Sequence, residues 1–179
     1  MSEINNAVIE IDDVRLKNFI EITADEMDMV REWRNSEFVR QWMYQDHIIS
    51  KDEHRAYFNK LKSDTSNIYY LLQHKNGEYI GVVGINKIDK NNRNAYFALY
   101  SNPNSKVVGI GRILDKTALE IAFKYLKLHS FRLEVIEDNY PVINLHKKYG
   151  FVEEGRLKQF VFKEGKWKDV LVMGIINHA

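Results

Sequence analysis

A change of period in the middle of the chain limits the folds open to it. Between residues 68 and 100 the sequence runs in three β-rich stretches, 68–73, 79–88 and 95–100. Asn76-Gly77 divides the first two, and the polar stretch from Lys90 to Asn94 divides the second from the third. Asn-Gly is a strong hairpin signal because both central residues of a type I′ turn take positive φ. From 111 to 126 the period becomes helical, with Ile113, Leu114, Leu119, Ala122, Phe123 and Leu126 at helical spacing. Residues 131–136 return to strand character. An antiparallel meander, then a crossover helix, then another strand predicts a mixed α/β layer.

The flanks extend this order. Residues 14–22 read as a strand. Thr23-Ala24-Asp25-Glu26 is a capping box that opens a helix carrying Met27, Met29, Val30 and Trp33 and ending near Asn35-Ser36. A short helix is expected over 37–43, and Ser50-Lys51-Asp52-Glu53 repeats the capping signal for a helix reaching about Lys62. Pro141 fits the first turn of a helix whose end is marked by Tyr149-Gly150. Residues 151–163 and 166–176 read as a final hairpin turned at Glu164-Gly165. Residues 1–13 are read as a polar, loose leader and residues 14–179 as one domain, with no repeat or linker to divide them.

Composition narrows the function classes. Lys and Arg total 26 against 25 Asp and Glu, a net charge of +1, which argues against a nucleic acid or an anionic membrane as partner. The chain has no Cys, so disulfides, thiolate metal sites and a cysteine nucleophile are excluded. No apolar run approaches the roughly 20 residues of a membrane span, and the N-terminus lacks signal-peptide character. A cytoplasmic enzyme or binding protein with a small-molecule ligand is the expectation. His47 and His54 lie too far apart for a helical His pair, and no His-x-x-x-His is present, so no metal site is expected.

The segment Lys106-Val107-Val108-Gly109-Ile110-Gly111-Arg112, between a strand and the long helix, carries the most chemistry. Gly-x-Gly at the start of a helix lets a ligand approach the backbone, and free N–H groups with the helix dipole favour a phosphate there. Lys106 and Arg112 add positive charge at the helix end that ordinarily repels it. A Walker loop is rejected because Gly-Arg-Ile stands where Gly-Lys-Ser/Thr is required. A dinucleotide fingerprint lacks its third glycine. A pyrophosphate loop and a simple turn remain.

Context decides between them. Lys106-x-x-Gly109-x-Gly111, then Leu133-x-Val135-x-x-x-Asn139, then Leu145-x-x-Lys148-x-Gly150-Phe151 resembles the GNAT acetyltransferase superfamily across residues 14–176. The resemblance implies a twisted mixed sheet of about six or seven strands with splayed middle strands and about four or five flanking helices. It also implies acetyl-CoA as co-substrate. Its pyrophosphate would lie on the N–H groups of Val108, Gly109, Ile110, Gly111 and Arg112, beside Lys106, with Asn139 near the pantetheine arm and Lys148 on the cofactor side. A backbone N–H near Leu99 or Tyr100 would polarise the thioester carbonyl. Lys147, Lys148, Arg156, Lys158, Lys163, Lys166 and Lys168 form either a solvated basic face or a clamp for the CoA 3′-phosphate.

Where the family pattern has Tyr to protonate the departing thiolate, this chain has His146. Imidazole, with an ordinary pKa of about 6.5, is able to serve as that acid. The alternatives are that His146 is a helix-surface residue and that Tyr149, one turn on, supplies the proton. Glu134 is the candidate base, with His54 and Glu137 behind it; alternation equally allows Glu134 to pair with Arg132.

Trp33-Arg34-Asn35, Trp42-Met43, Glu53-His54, Phe97-Ala98-Leu99-Tyr100-Ser101-Asn102-Pro103, Leu133-Glu134-Val135-Ile136-Glu137-Asp138-Asn139 and Glu154-Gly155-Arg156-Leu157-Lys158 are similar to the sugar-nucleotide N-acetyltransferases of pseudaminic acid biosynthesis. Those enzymes acetylate the 4-amino group of UDP-4-amino-4,6-dideoxy-N-acetyl-β-L-altrosamine. By that resemblance the acceptor is a UDP-linked amino sugar. Arg34 then meets the diphosphate, His54 lines the acceptor site, and Tyr96, Tyr44 or Trp42 stacks on uracil or sugar. A protein N-terminal or polyamine acetyltransferase and a non-catalytic acyl-CoA-binding module are the competing readings. The C-terminal hairpin is the expected edge of a homodimer.

Overall fold

The computed structural model describes residues 8–178. Strands β1 (Val8–Ile11) and β2 (Val14–Asn18) form a hairpin turned by Asp12, whose φ is 49°. Residues 8–11 therefore leave the loose leader expected from sequence: Ile9 and Ile11 face the core and Glu10 faces solvent, the alternation of a half-buried strand. Asp12 and Asp13 of that leader form the turn, and its residues 1–7 lie outside the described residues. After a 3₁₀ turn over Phe19–Glu21 come α1 (Ala24–Asn35), a single turn α2 (Glu37–Arg40) and α3 (Lys51–Leu61). The meander β3 (Ile68–His74), β4 (Tyr79–Asp89) and β5 (Asn94–Ser101) follows. Helix α4 (Ile110–Glu120) continues into a wide π turn over Ile121–Tyr125, which interrupts the single helix expected to 126. Strand β6 (Ser130–Ile136), α5 (Tyr140–Lys148) and the hairpin β7 (Val152–Lys163) and β8 (Lys166–Ile176) complete the chain.

The local signals explain these limits. Thr23 Oγ1 accepts from the Glu26 amide and Glu26 returns to the Thr23 amide, the full capping box. Ser50 accepts from the Glu53 amide at α3, but the Glu53 side chain turns to His47. Gly77 has φ 89° in the β3–β4 turn.

Among the described residues the sheet has eight strands in the order β1-β2-β3-β4-β5-β6-β8-β7, against the six or seven expected. Every pairing is antiparallel except β5 with β6. Those two central strands pair only from Asn94–Ser130 to Tyr96–Arg132, and beyond that they part, leaving a wedge between them. One face of the sheet packs on α4 and α5 through Leu72, Val83, Phe97, Phe131, Leu133, Leu114 and Ile143. The other packs on α1 and α3 through Leu71, Val82, Val30, Trp33 and Phe58. Burying each such side chain is worth about 1.5–3 kcal/mol, which holds the two helical layers against the open centre of the sheet.

Candidate active site

The wedge offers backbone on one side. The Asn102 amide donates to the Ile80 carbonyl at 2.9 Å, continuing the β4–β5 register. Backbone groups alternate sides along a strand, so those of Tyr100 also turn to β4 and those of Leu99 turn into the gap. Of the two residues proposed from sequence to polarise a carbonyl, Leu99 has the free backbone, and Tyr100 instead presents its side chain to the α1–α3 layer.

The Gly-x-Gly loop stands at the wedge's α4 side. Gly109 takes φ 76° and N-caps α4 with no side-chain cap. Among the described residues the N–H groups of Val108, Gly109, Ile110 and Gly111 have no acceptor. The Arg112 amide differs: it donates to the Gly109 carbonyl at 2.9 Å, so Arg112 has only its side chain to offer. Lys106 and Arg112 are exposed and make no ion pair among the described residues, and the first turn of α4 has no acidic residue. Four free amides, a left-handed glycine and two unpaired cations are an arrangement chemically suited to an anion. Gly111 is tight for a second reason: a Cβ there would stand 3.0 Å from Leu145 Cδ2 on α5. Asn139, buried at the N-cap of α5, spends its backbone on Ile136 and Ile143 and makes no side-chain cap. Lys148 is exposed at the end of α5.

His146 is not on the helix surface. It is 3% exposed, edge-on to Phe97 and Phe151, with Nδ1 3.1 Å from Asp115 Oδ2 on α4. Tyr149, the other candidate, donates its hydroxyl to the Arg112 carbonyl at 3.3 Å, at the first turn of α4. Asp115, which the helical pattern does not single out, is buried on α4.

On the opposite face the segment between α2 and α3 forms a wall, pinned from several elements. Asn35 grips Ile49 through both backbone groups at 2.8 and 2.9 Å, and Arg34 Nη2 donates to the Gln45 carbonyl at 3.0 Å. From β7, Lys163 is buried and donates to the Met43 carbonyl at 2.6 Å, with Asp46 3.3 Å away. Trp42 packs on Ile136, Val161 and Val170. Tyr44 packs edge-on to Phe160 and donates to Glu134 Oε2 at 2.6 Å. Glu134 thus faces this wall, and the Arg132 pairing allowed by alternation is not made; Arg132 binds Glu154 at 2.5 Å.

Arg34 and His54 come together beside that wall, while Tyr96 does not. The Arg34 guanidinium is half-buried, makes no ion pair among the described residues, and keeps a buried Nη1 with no partner; burial lowers its pKa. His54 is 7% exposed, and its Nδ1 is buried without a partner. Burial, reinforced by Arg31, brings its pKa down to about 4, so the ring is neutral at pH 7. Tyr96 sits at the apex of the wedge under Lys87, whose Nζ is 4.8 Å from the ring centroid. No group of three or more His, Asp or Glu is placed to hold a metal ion among the described residues, and no helix there is long and apolar enough to cross a membrane.

A sheet that parts between two central strands, with a loop suited to an anion at the start of the helix between them, is the architecture of an acyl-CoA-dependent transferase. The profile of the acetyltransferase (GNAT) family matches residues 27–151, and the chain belongs to that family. Acetyltransferase PseH of Campylobacter jejuni strain 81-176 is 31% identical over 147 residues, covering 82% of this chain and 90% of that one. Spermidine N(1)-acetyltransferase of Vibrio cholerae is 27% identical over 152 residues, covering 85% and 88%. Among solved structures, spermidine N-acetyltransferase from Vibrio cholerae in complex with CoA and spermine has a TM-score of 0.84 at 25% identity, covering 93% of this chain and 96% of that one. Campylobacter jejuni N-acetyltransferase PseH shares the fold with a TM-score of 0.72 at 24% identity, covering 92% and 99%. The protein is an acetyltransferase that draws its acyl group from a CoA thioester.

Proposed function

We propose that this enzyme transfers acetyl from acetyl-CoA to the 4-amino group of a UDP-linked amino-dideoxy sugar, the step known in pseudaminic acid biosynthesis. The observation that carries the acceptor is the Arg34 guanidinium, half-buried in the acceptor wall with a buried Nη1 unpartnered. A diphosphate is the ligand that satisfies such a group, because two oxygens accept from the planar fork. The neighbouring carboxylates are already taken: Glu134 by Tyr44, Glu53 by His47, and Asp28 by Lys51 and Arg31. A polycationic acceptor would need some of them free. The likeness to the C. jejuni PseH enzyme, at 31% identity, points the same way.

In this reading the free amides from Val108 to Gly111, with Lys106 and the Arg112 side chain, hold the CoA pyrophosphate. Asn139 bonds the pantetheine arm and Lys148 lies on the cofactor side. The Leu99 N–H, turned into the wedge, polarises the thioester carbonyl as negative charge grows on its oxygen. The acceptor nitrogen attacks, with Glu134 or water taking its proton. His146 protonates the sulfur as the carbon–sulfur bond breaks. His54, neutral at pH 7, offers a hydrogen bond to the sugar, and Tyr96 borders the acceptor at the wedge's apex. The reaction belongs in the cytoplasm, where sugar nucleotides and acetyl-CoA are made. The exposed Val152, Phe160 and Phe162 on β7, an outer strand of the sheet, suit a homodimer contact.

A polyamine acceptor has one specific observation in its favour, the higher TM-score to the V. cholerae spermidine enzyme. Steady-state kinetics of Arg34→Gln separates the two. A charged hydrogen bond is worth about 1.5–3 kcal/mol, so the KM for the sugar nucleotide should rise about tenfold to a hundredfold with the acetyl-CoA KM unchanged. An unaltered KM for the sugar nucleotide would remove Arg34 from the diphosphate site.

A further inference from the structure

The structure assigns Asp115 as the residue that positions His146: it fixes the ring as the Nδ1–H tautomer and turns Nε2 toward the wedge. Four observations meet here. Asp115 is 1% exposed, in the middle of α4, and neither of its oxygens has a hydrogen-bond donor among the described residues. A carboxylate so placed is costly unless a cation or a donor faces it. The group facing it is His146 Nδ1, at 3.1 Å, itself without a well-aligned partner. The ring is held edge-on by Phe97 and Phe151, and Phe97 is the first residue of β5 beyond the last β5–β6 pair. These two phenylalanines bring no charge, so Asp115 is the charged group that meets the ring across the helix packing.

A tyrosine needs no such partner, because its hydroxyl has one proton and one position. An imidazole has two nitrogens, and the one facing the sulfur can take up and give the transferred proton only if the other keeps its own. A buried carboxylate on Nδ1 settles that choice, as the aspartate does in a Ser-His-Asp triad. The contact is bent in the free enzyme, and such bonds commonly tighten when the substrates bind.

This assignment rests on the reading of His146 as the acid of the proposed acetyl transfer. In that step the nitrogen–carbon bond forms and the carbon–sulfur bond breaks. The donating form is the imidazolium, which carries a proton on each nitrogen: the sulfur takes the Nε2 proton, the ring is left as the Nδ1–H tautomer against Asp115, and Nε2 is reloaded through water. The proton shed by the attacking nitrogen balances the one given to sulfur.

The test joins NMR to kinetics. In ¹⁵N-histidine spectra of the wild-type chain at pH 8, His146 should show a protonated Nδ1 and a bare Nε2, and Asp115→Asn should reverse or mix the tautomers. Asp115→Asn should lower kcat by about ten- to a hundredfold, the range for a residue that orients a functional histidine, with the acetyl-CoA KM within about threefold. In a His146→Tyr background the same substitution should cost less than about twofold, because its target is gone. An equal loss in both backgrounds would make Asp115 merely structural, and a wild-type ring bearing its proton on Nε2 would overturn the assignment even if the variants fail to fold. If the tautomer follows Asp115 while no acceptor is acetylated, the assignment stands and the acetyl-transfer role of His146 falls.

Discussion

Replacing Glu26 with Gln should cost stability at neutral pH and nothing in strong acid. Glu26 adds polar ties between α1, which carries Arg34, and strands β2 and β4. Its Oε2 accepts from Lys17 Nζ at 2.7 Å and from the Thr23 amide at 2.6 Å, and its Oε1 accepts from the Tyr79 hydroxyl at 2.7 Å. Burial opposes the charged form, but the bonds to Lys17, Tyr79 and Thr23 outweigh it and bring the pKa down to about 2 from 4.5. At about 1.4 kcal/mol per tenfold in proton affinity, that displacement corresponds to an upper bound of about 3 kcal/mol. Lys17 keeps 28% of its side chain in water, so solvent screening reduces the figure to about 1–2 kcal/mol. For a chain of this size that is about 2–8 °C in Tm. The sign follows from proton uptake: the unfolded chain protonates Glu26 first, so the stabilisation is whole above about pH 4.5 and is lost as pH falls toward 2. Thermal melts of wild type and Glu26→Gln between pH 2 and pH 7 measure it. Equal Tm values at pH 7, or a gap that survives undiminished at pH 2, would refute the reasoning.

His54 acts in a separate window. Its pKa of about 4 against an ordinary 6.5 means that the unfolded chain gains a proton first as pH falls through that range, so stability declines there. His54→Phe should flatten the decline by on the order of 2 kcal/mol in the same melts, after discounting for partial solvation. Gly111→Val puts a branched side chain where Leu145 Cδ2 leaves 3.0 Å and where the cofactor's phosphates are proposed to lie. Its KM for acetyl-CoA should rise about tenfold or more, by isothermal titration or initial rates, because one well-placed anion contact is worth about 1.5–3 kcal/mol. Tyr44→Phe removes the donor on Glu134 and loosens the acceptor wall, so the acceptor KM should rise by several-fold, on the order of 1 kcal/mol, with the acetyl-CoA KM unmoved.

Local chemistry was the legible part of this chain. The turn at Asn76-Gly77, the cap at Thr23-Glu26, the hairpin at Glu164-Gly165 and the Gly-x-Gly opening of α4 each depend on neighbours within a few residues, and each stands where the pattern placed it. Strand β1 is hard to read from sequence although Val8-Ile9-Glu10-Ile11 alternates, because the stretch is short and its turn at Asp12-Asp13 carries no Gly or Pro. The site is legible where it is backbone. Its side-chain pairings come from far apart in the sequence: Lys163 with the Met43 carbonyl, Tyr44 with Glu134, Asp115 with His146. No periodicity encodes these. Asp115 sits between Leu114 and Lys116, where a helical wheel gives it no distinction from a surface charge, and only the packing of α5 across α4 buries it.

The acceptor is the central claim, and thiol release from acetyl-CoA measures it most directly. The assay runs UDP-4-amino-4,6-dideoxy-N-acetyl-β-L-altrosamine beside spermidine and an N-terminal peptide at pH 7.5. Turnover on the sugar nucleotide, with at least about a hundredfold preference in kcat/KM over the other two, is the predicted result and corresponds to about 3 kcal/mol of discrimination. Turnover on spermidine or the peptide with none on the sugar nucleotide would contradict it.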